Sequence, residues 1–221
     1  MPELPEVETV RRGLIKHMMG KSINKVELRR ENLRFPFPKG MAEDMSGCRV
    51  EAVDRRAKYL LIRLSGGLTW MVHLGMSGHF SLLSRGEEKE RGKHDHVVIH
   101  LKGGSRAVYT DHRRFGIMDL FANEAQNEHR LLSHLGPEPL SDDWGPSQFC
   151  QSMRGRRSPI KVALLNQKLV VGLGNIYVSE ALHRSGISPR RTAGDVAGKR
   201  GTPKRAIILV QEIKKVLEEA I

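Results

Sequence analysis

"KYLLIRLSGGLTWMVHL" (residues 58–74) sets the fold class. Two short runs rich in β-branched and aromatic residues flank the glycine-rich turn "SGG", so each run reads as a strand. Further on, "HVVIHL" (96–101) and "RAVYT" (106–110) follow the same pattern across "KGG" (102–104). In "HVVIHL", Val97, Ile99 and Leu101 share one face, and His96, Val98 and His100 the other. Such spacing predicts an antiparallel sandwich. Ahead of it, Val7, Val10, Leu14 and Met18 fall on one helical face, and Gly20 ends that helix. Composition changes at "HLGPEPLSDDWGPS" (134–147), where Pro137, Pro139, Pro146, Gly136 and Gly145 read as a linker. Beyond it the pattern is helical and closes with the amphipathic "RAIILVQEIKKVLEEAI" (205–221). The fold expected is α+β: an N-terminal helix and β-sandwich over residues 1–134, a linker over 135–148, and a helical domain over 149–221.

The charge balance narrows the partner. The chain has 37 Lys+Arg against 25 Asp+Glu, a net charge of +12. An excess of that size calls for a polyanion, with nucleic acid first and an acidic membrane surface second. No stretch approaches the length of a membrane span, and the N-terminus lacks the apolar core of a signal peptide, so a cytoplasmic protein is expected. Cys48 and Cys150 stand far apart and outside any CxxC, which reads as neither a disulfide framework nor a cysteine zinc site.

The first residues carry possible chemistry. "PELPE" (2–6) is, by itself, a reasonable helix start, with Pro5 near the first turn and acids at the positive end. Removal of Met1 would expose the Pro2 amine. A terminal amine titrates near 8, so a neutral, nucleophilic fraction exists at physiological pH. A secondary amine attacking a sugar C1′ gives an iminium that is cationic without a proton, an electron sink for expelling a base and eliminating a phosphate. Glu3, the next residue, could protonate the opening sugar oxygen. If Met1 is retained, the Pro2 nitrogen is an amide and cannot attack. Lys58 lies on the face of Leu60, Ile62 and Leu64, where a lysine is costly unless it is paired or at the mouth of a site.

Other segments suit a grip on DNA. "HLGMSG" (73–78) and "DHRRFG" (111–116) each combine polar groups, one large apolar tip and glycines. Met76 and Phe115 are the tips, and Arg113 and Arg114 stand beside Phe115. An enzyme working on a base must take it out of the stack and fill the gap with a wedge, a role these residues suit. Taken singly, either tip is ordinary core. In "KHDH" (93–96), His94 could take a phosphate; a metal at His94, Asp95 and His96 ranks below that, because alternate strand residues face opposite ways. "RGRRSPIK" (154–161) places Arg156, Arg157 and Lys161 for backbone contacts. Gly172, Gly174 and Asn175 put free N–H groups at a helix start, with Asn175 as N-cap, an anion site that a DNA phosphate would fill.

In combination, "PELPEVET", "RRAKYLL", "HLGMSG", "KHDH", "RRFG", "HLGPEPL" and "KLVVGLGNIYVSE" run along almost the whole chain. In this order they resemble the formamidopyrimidine-DNA glycosylase family of bacterial repair enzymes, which remove oxidised purines from duplex DNA. The resemblance implies Pro2 as nucleophile and Schiff-base former, Glu3 as proton donor, and Lys58 as proton donor in β-elimination. It implies Met76, Arg113 and Phe115 as inserted wedge, His94, Arg113, Arg156 and Asn175 on DNA, and Lys161 near the lesion pocket. Residues 161–185 would form a helix–two-turn–helix. His112 stands where the family usually has proline. Family members also continue into a zinc finger with four cysteines, whose ligands are absent here, so no cofactor is expected in this chain, and the uncapped helix at Ile221 suggests either truncation or a tail beyond this sequence. The activity implied is a monomeric glycosylase and AP lyase on damaged double-stranded DNA. The rivals are an endonuclease VIII-like oxidised-pyrimidine glycosylase and a damaged-DNA-binding protein without chemistry.

Overall fold

A computed structural model describes residues 2–221. The expectation that Met1 is removed concerns a residue outside them. Contacts divide the chain into two compact units, one comprising Pro2 and Val7–His129, the other Glu3–Glu6 and Arg130–Ile221. The first helix, α1 (Leu4–Met18), thus gives its first turn to the second unit and the rest to the first.

In the first unit, two four-stranded antiparallel sheets form the expected sandwich. One has the order β1 (Ile23–Leu28), β6 (Asp95–Leu101), β7 (Arg106–Thr110), β5 (His79–Leu83). The other runs β2 (Val50–Arg56), β3 (Tyr59–Leu64), β4 (Leu68–His73), β8 (Ile117–Ala122). Both hairpins expected from glycine-rich turns form, with β3 paired to β4 and β6 to β7. Gly66, Gly67, Gly103 and Gly104 all take the left-handed backbone that tight turns require and that a Cβ disfavours. Val97, Ile99 and Leu101 meet Leu60, Ile62, Leu64, Trp70 and Val72 in one apolar cluster, joined by Val7, Leu14 and Met18 of α1. Strand periodicity and helix periodicity therefore converge on the same core. Between β1 and β2 lies a short helix, α2 (Met41–Met45).

The second unit holds α3 (Pro146–Met153), α4 (Ile160–Leu165), α5 (Asn175–Arg184), α6 (Ala193–Ala197) and α7 (Lys204–Glu219). Leu209, Ile213, Val216 and Leu217 of α7 pack with Val178, Ala181 and Leu182 of α5, and Leu4 belongs to the same cluster. A turn at 167–169 and a bend at 170–172 join α4 to α5. Gln167 braces them: its amide donates to the carbonyls of Leu165 and Leu173, and its oxygen accepts the Gly172 N–H at 2.9 Å.

The stretch 135–148, read above as a linker, packs within the second unit. Trp144 is 1% exposed and stacks edge-on against Phe149, and Leu140 lies against the same core. Gly136 N–H donates to the Gln167 carbonyl, and the Pro137 carbonyl accepts from Val171 N–H. Proline and glycine here shape a packed irregular segment. Removing a large buried aromatic costs roughly 3–5 kcal/mol. Trp144→Ala is expected to destabilise the second unit by about that amount in urea unfolding, whereas a solvated linker would lose almost nothing.

Candidate catalytic and nucleic-acid-binding residues

The Glu3 side chain is built into the start of α5. Its carboxylate accepts N–H bonds from Gly174 at 2.8 Å, Ile176 at 2.9 Å and Tyr177 at 3.3 Å. These are the orphan donors of a helix N-terminus, where the macrodipole also favours an anion. The approach needs Gly174, because a Cβ there would overlap the Glu3 carboxyl group. Leu4 N–H donates to the Gly172 carbonyl at 3.0 Å, and a Cβ on Gly172 would sit 2.6 Å from Leu4 Cδ1. Glu6 completes the arrangement. One oxygen accepts the Glu3 N–H at 2.8 Å, a capping-box bond, and the other accepts the Tyr177 hydroxyl at 2.6 Å. Burial and the Glu6 carboxylate both push the Tyr177 phenol above its ordinary range.

This changes two expectations. Gly174, not Asn175, is the N-cap of α5; Asn175 is the exposed first helical residue. Of the donors assigned to a phosphate, Gly174 N–H is held by the chain's own Glu3 carboxylate and Gly172 N–H by the Gln167 side chain. A run of free N–H groups specifies an anion but not which one, and Glu3 arrives first. Pro2, one peptide bond from Glu3, is half-buried. Glu6 and Tyr177 were not singled out from sequence; the three-residue spacing from Glu3 to Glu6 was the available signal.

Lys58 is 8% exposed, yet it lies in the turn between β2 and β3 and not on the strand. Ala57 before it has a left-handed φ of 53°, a strained setting for a residue with a Cβ. Tyr59 pairs with His73, their rings 4.8 Å apart. Burial, then the charges of Lys58 and Arg34, push the His73 pKa down to about 4. His73 Nδ1 accepts the Gly75 N–H at 3.1 Å, as a neutral ring can.

Asp111, fully buried, ties the loops 73–78 and 111–116 together. One oxygen accepts the Ser77 hydroxyl at 2.5 Å, the other the Gly116 N–H at 2.8 Å and, more weakly, the Tyr109 hydroxyl at 3.4 Å. Ser77 Oγ in turn accepts the Arg113 N–H at 3.0 Å. Gly75 (φ 65°) permits backbone contact with Phe115 that any Cβ would block. Met76 and Phe115 each remain 41% exposed at the tips, and the Arg113 guanidinium lies 4.7 Å over the Phe115 ring. Arg114 has a left-handed φ of 57°. Rigid, exposed apolar tips on a braced base are what insertion into a base stack demands.

His94 is half-buried, its ring 4.4 Å from His112, and its carbonyl accepts the Asp111 N–H. Asp95 and His96 are used within the fold. Asp95 accepts from Lys89, Thr110 and the Gly92 N–H, and His96 Nε2 bonds the Asp111 carbonyl at 2.8 Å. Among the described residues no group of three His, Cys, Asp or Glu side chains could hold a metal. Cys48 and Cys150 belong to different units, so the residues present do not fit a zinc site. In the second unit, exposed Arg156 and Arg157 line a cavity of about 510 Å³ with Arg154 and Lys199. Lys161 Nζ donates to Ser179 Oγ at 3.1 Å beside a separate, largely apolar cavity.

Two outcomes are expected. In an NMR titration, His73 should charge near pH 4 and not near 6.5; because its folded pKa is depressed, the stability gained from keeping it neutral is full above pH 6.5 and declines as pH falls towards 4. Asp111→Ala, which orphans a buried N–H and two hydroxyls, should cost at least about 2 kcal/mol and raise hydrogen exchange in both 73–78 and 111–116. Exchange confined to one loop would show that Asp111 does not couple them.

Comparison with known proteins agrees with this geometry. Residues 1–118 match the model described as "Formamidopyrimidine-DNA glycosylase N-terminal domain", and residues 135–221 match "Formamidopyrimidine-DNA glycosylase H2TH domain". A formamidopyrimidine-DNA glycosylase of Azorhizobium caulinodans is 52% identical over 235 residues, covering 100% of this chain and 79% of that protein. One from Ruegeria pomeroyi is 50% identical over 227 residues, covering 100% and 78%. The Lactococcus lactis Fpg bound to DNA containing an abasic site superposes with a TM-score of 0.86 at 32% identity, over 99% of this chain and 78% of that one. Its wild-type complex with DNA containing an oxidised pyrimidine gives 0.87 at 32% identity, over 100% and 80%. Two family models that together span most of the chain, and relatives at half identity along its whole length, leave one assignment: the chain belongs to the formamidopyrimidine-DNA glycosylase family.

Proposed function

We propose that the protein is a base-excision repair enzyme, a DNA glycosylase and AP lyase that removes oxidised purines such as 8-oxoguanine and formamidopyrimidines from double-stranded DNA. The observation that carries this reading is the seating of Glu3 on the α5 N-terminus, one bond from Pro2. A carboxylate locked to three backbone donors fixes the segment that bears the nucleophile, and fixed geometry is worth far more to a covalent reaction than a mobile tail.

With Met1 removed, the Pro2 nitrogen attacks C1′ of the damaged nucleotide. The N–C1′ bond forms as the glycosidic bond breaks, and the pair of electrons leaves with the base, which takes up a proton. Glu3 takes up the proton that the Pro2 nitrogen sheds on attack and passes it to the ring oxygen as the sugar opens, leaving an iminium between Pro2 and C1′. Loss of a C2′ proton then expels the 3′-phosphate, with Lys58 as the proton donor of that elimination. Met76, Arg113 and Phe115 fill the gap left in the duplex, and His94, Arg114, Arg156, Arg157, Lys161 and Asn175 contact the DNA. In this reading the sandwich unit supplies Pro2, Lys58 and the wedge, and the helical unit supplies Glu3 and the grip on the backbone. No step passes through zinc. Among the described residues no helix is long and apolar enough to cross a membrane. The partner is damaged duplex DNA, met by a monomer in the cytoplasm.

Borohydride reduction of the protein on an abasic duplex should give a covalent adduct through Pro2. Pro2→Gly should lose most lyase activity and Glu3→Gln base release; Glu3→Gln should also lower Tm by a few degrees, since an amide cannot replace a carboxylate against three donors. Failure of the wild-type protein, freed of Met1, to form an adduct would leave a damage-binding protein. Faster release of oxidised pyrimidines than of 8-oxoguanine would favour the endonuclease VIII-like reading.

A further inference from the structure

A third arm stands beside the two wedge loops. Residues 29–38 join β1 to α2 as an irregular segment pinned by buried Leu33, whose N–H donates to the Phe35 carbonyl at 3.0 Å. Arg34 N–H donates to the Gly116 carbonyl at 3.1 Å, which fastens this arm to the end of the 111–116 loop. Arg34 and Phe35 are both exposed, and the guanidinium lies 5.9 Å from the Phe35 ring. The pairing repeats that of Arg113 with Phe115. Arg34, Arg113 and Arg114, with Leu33 and Phe115, wall one cleft of about 410 Å³. Three arginines line that cleft, and among the described residues none of them forms an ion pair with a carboxylate. Such a concentration of uncompensated charge on a braced frame is a site for a polyanion.

We infer that Arg34 is a further DNA-binding residue, contacting a backbone phosphate of the duplex in the cleft it shares with Arg113 and Arg114. The inference rests on the proposed action on DNA and adds a third loop to the contact surface. Arginine suits the role because its planar fork can give two N–H bonds to one phosphate while one face of the guanidinium stays over the phenyl ring. The contact carries no sequence information; it fixes register while the tips of the neighbouring loops enter the stack.

The test is the salt dependence of binding to a duplex with an uncleavable tetrahydrofuran site, from about 50 to 200 mM salt. Loss of one phosphate contact lowers the slope of log K against log salt by about 0.9. Arg34→Ala should show that change and bind about tenfold more weakly at low salt, the size of one charge-assisted bond. Arg34→Lys, which keeps the charge, should restore the slope. A wild-type slope for Arg34→Ala, with unchanged Tm, overturns the inference. Borohydride trapping of the wild-type protein is scored separately: an adduct with an unchanged slope removes Arg34 alone, whereas a reduced slope without an adduct keeps the phosphate contact and removes the proposed chemistry.

Discussion

The bond from the Glu3 carboxylate to the first N–H groups of α5 is the constraint on which the functional half of the molecule rests. A helix start leaves its leading donors without partners, and here an acidic residue 171 positions earlier in the chain supplies them. Chain ends otherwise fray. This one is held by three side-chain bonds, a buried Leu4 and the Glu6–Tyr177 hydroxyl contact, so the residue before Glu3 starts from an ordered frame. The glycines at 172 and 174 are there for close approach, since Cβ atoms would occupy the space taken by Leu4 and Glu3.

A second constraint, local to the sandwich, is the burial of Asp111. An isolated carboxylate in a core is costly, and this one is tolerated because its oxygens are filled by hydroxyl and N–H donors from two loops. That requirement joins "HLGMSG" to "DHRRFG". It leaves Met76 and Phe115 exposed on a base that does not give way. The same loop end accepts the Arg34 N–H, so the three arms form one surface with a shared support. Backbone strain lies in the same neighbourhood: Ala57 and Arg114 are the non-glycine residues with left-handed φ among the described residues, and each adjoins a residue given a role in the chemistry or on DNA.

Much of the fold is legible in the sequence alone. Alternation in "HVVIHL" and "KYLLIRL" with Gly-Gly turns is sufficient for a sandwich, because the period of two and the turn chemistry are local properties. The excess of Lys and Arg and the motif order pointed to DNA for equally local reasons: charge adds up wherever it stands, and motifs are contiguous. Less legible were features set by distant neighbours. Prolines in 135–148 signal irregular backbone, but whether that backbone is solvated or packed depends on Trp144 finding Phe149.

The division follows from what each level of structure encodes. Composition, periodicity and turn residues determined the element types and the polyanionic partner, and the order of contiguous motifs carried the resemblance to the family, since each depends on residues near one another in the chain. Tertiary structure alone decided that the anion at α5 is Glu3, that Gly174 and not Asn175 caps the helix, that Lys58 occupies a turn, and that Asp111 binds two loops. A donor row or a buried carboxylate specifies the chemistry of its partner. Which partner arrives is settled only when the chain has folded back on itself.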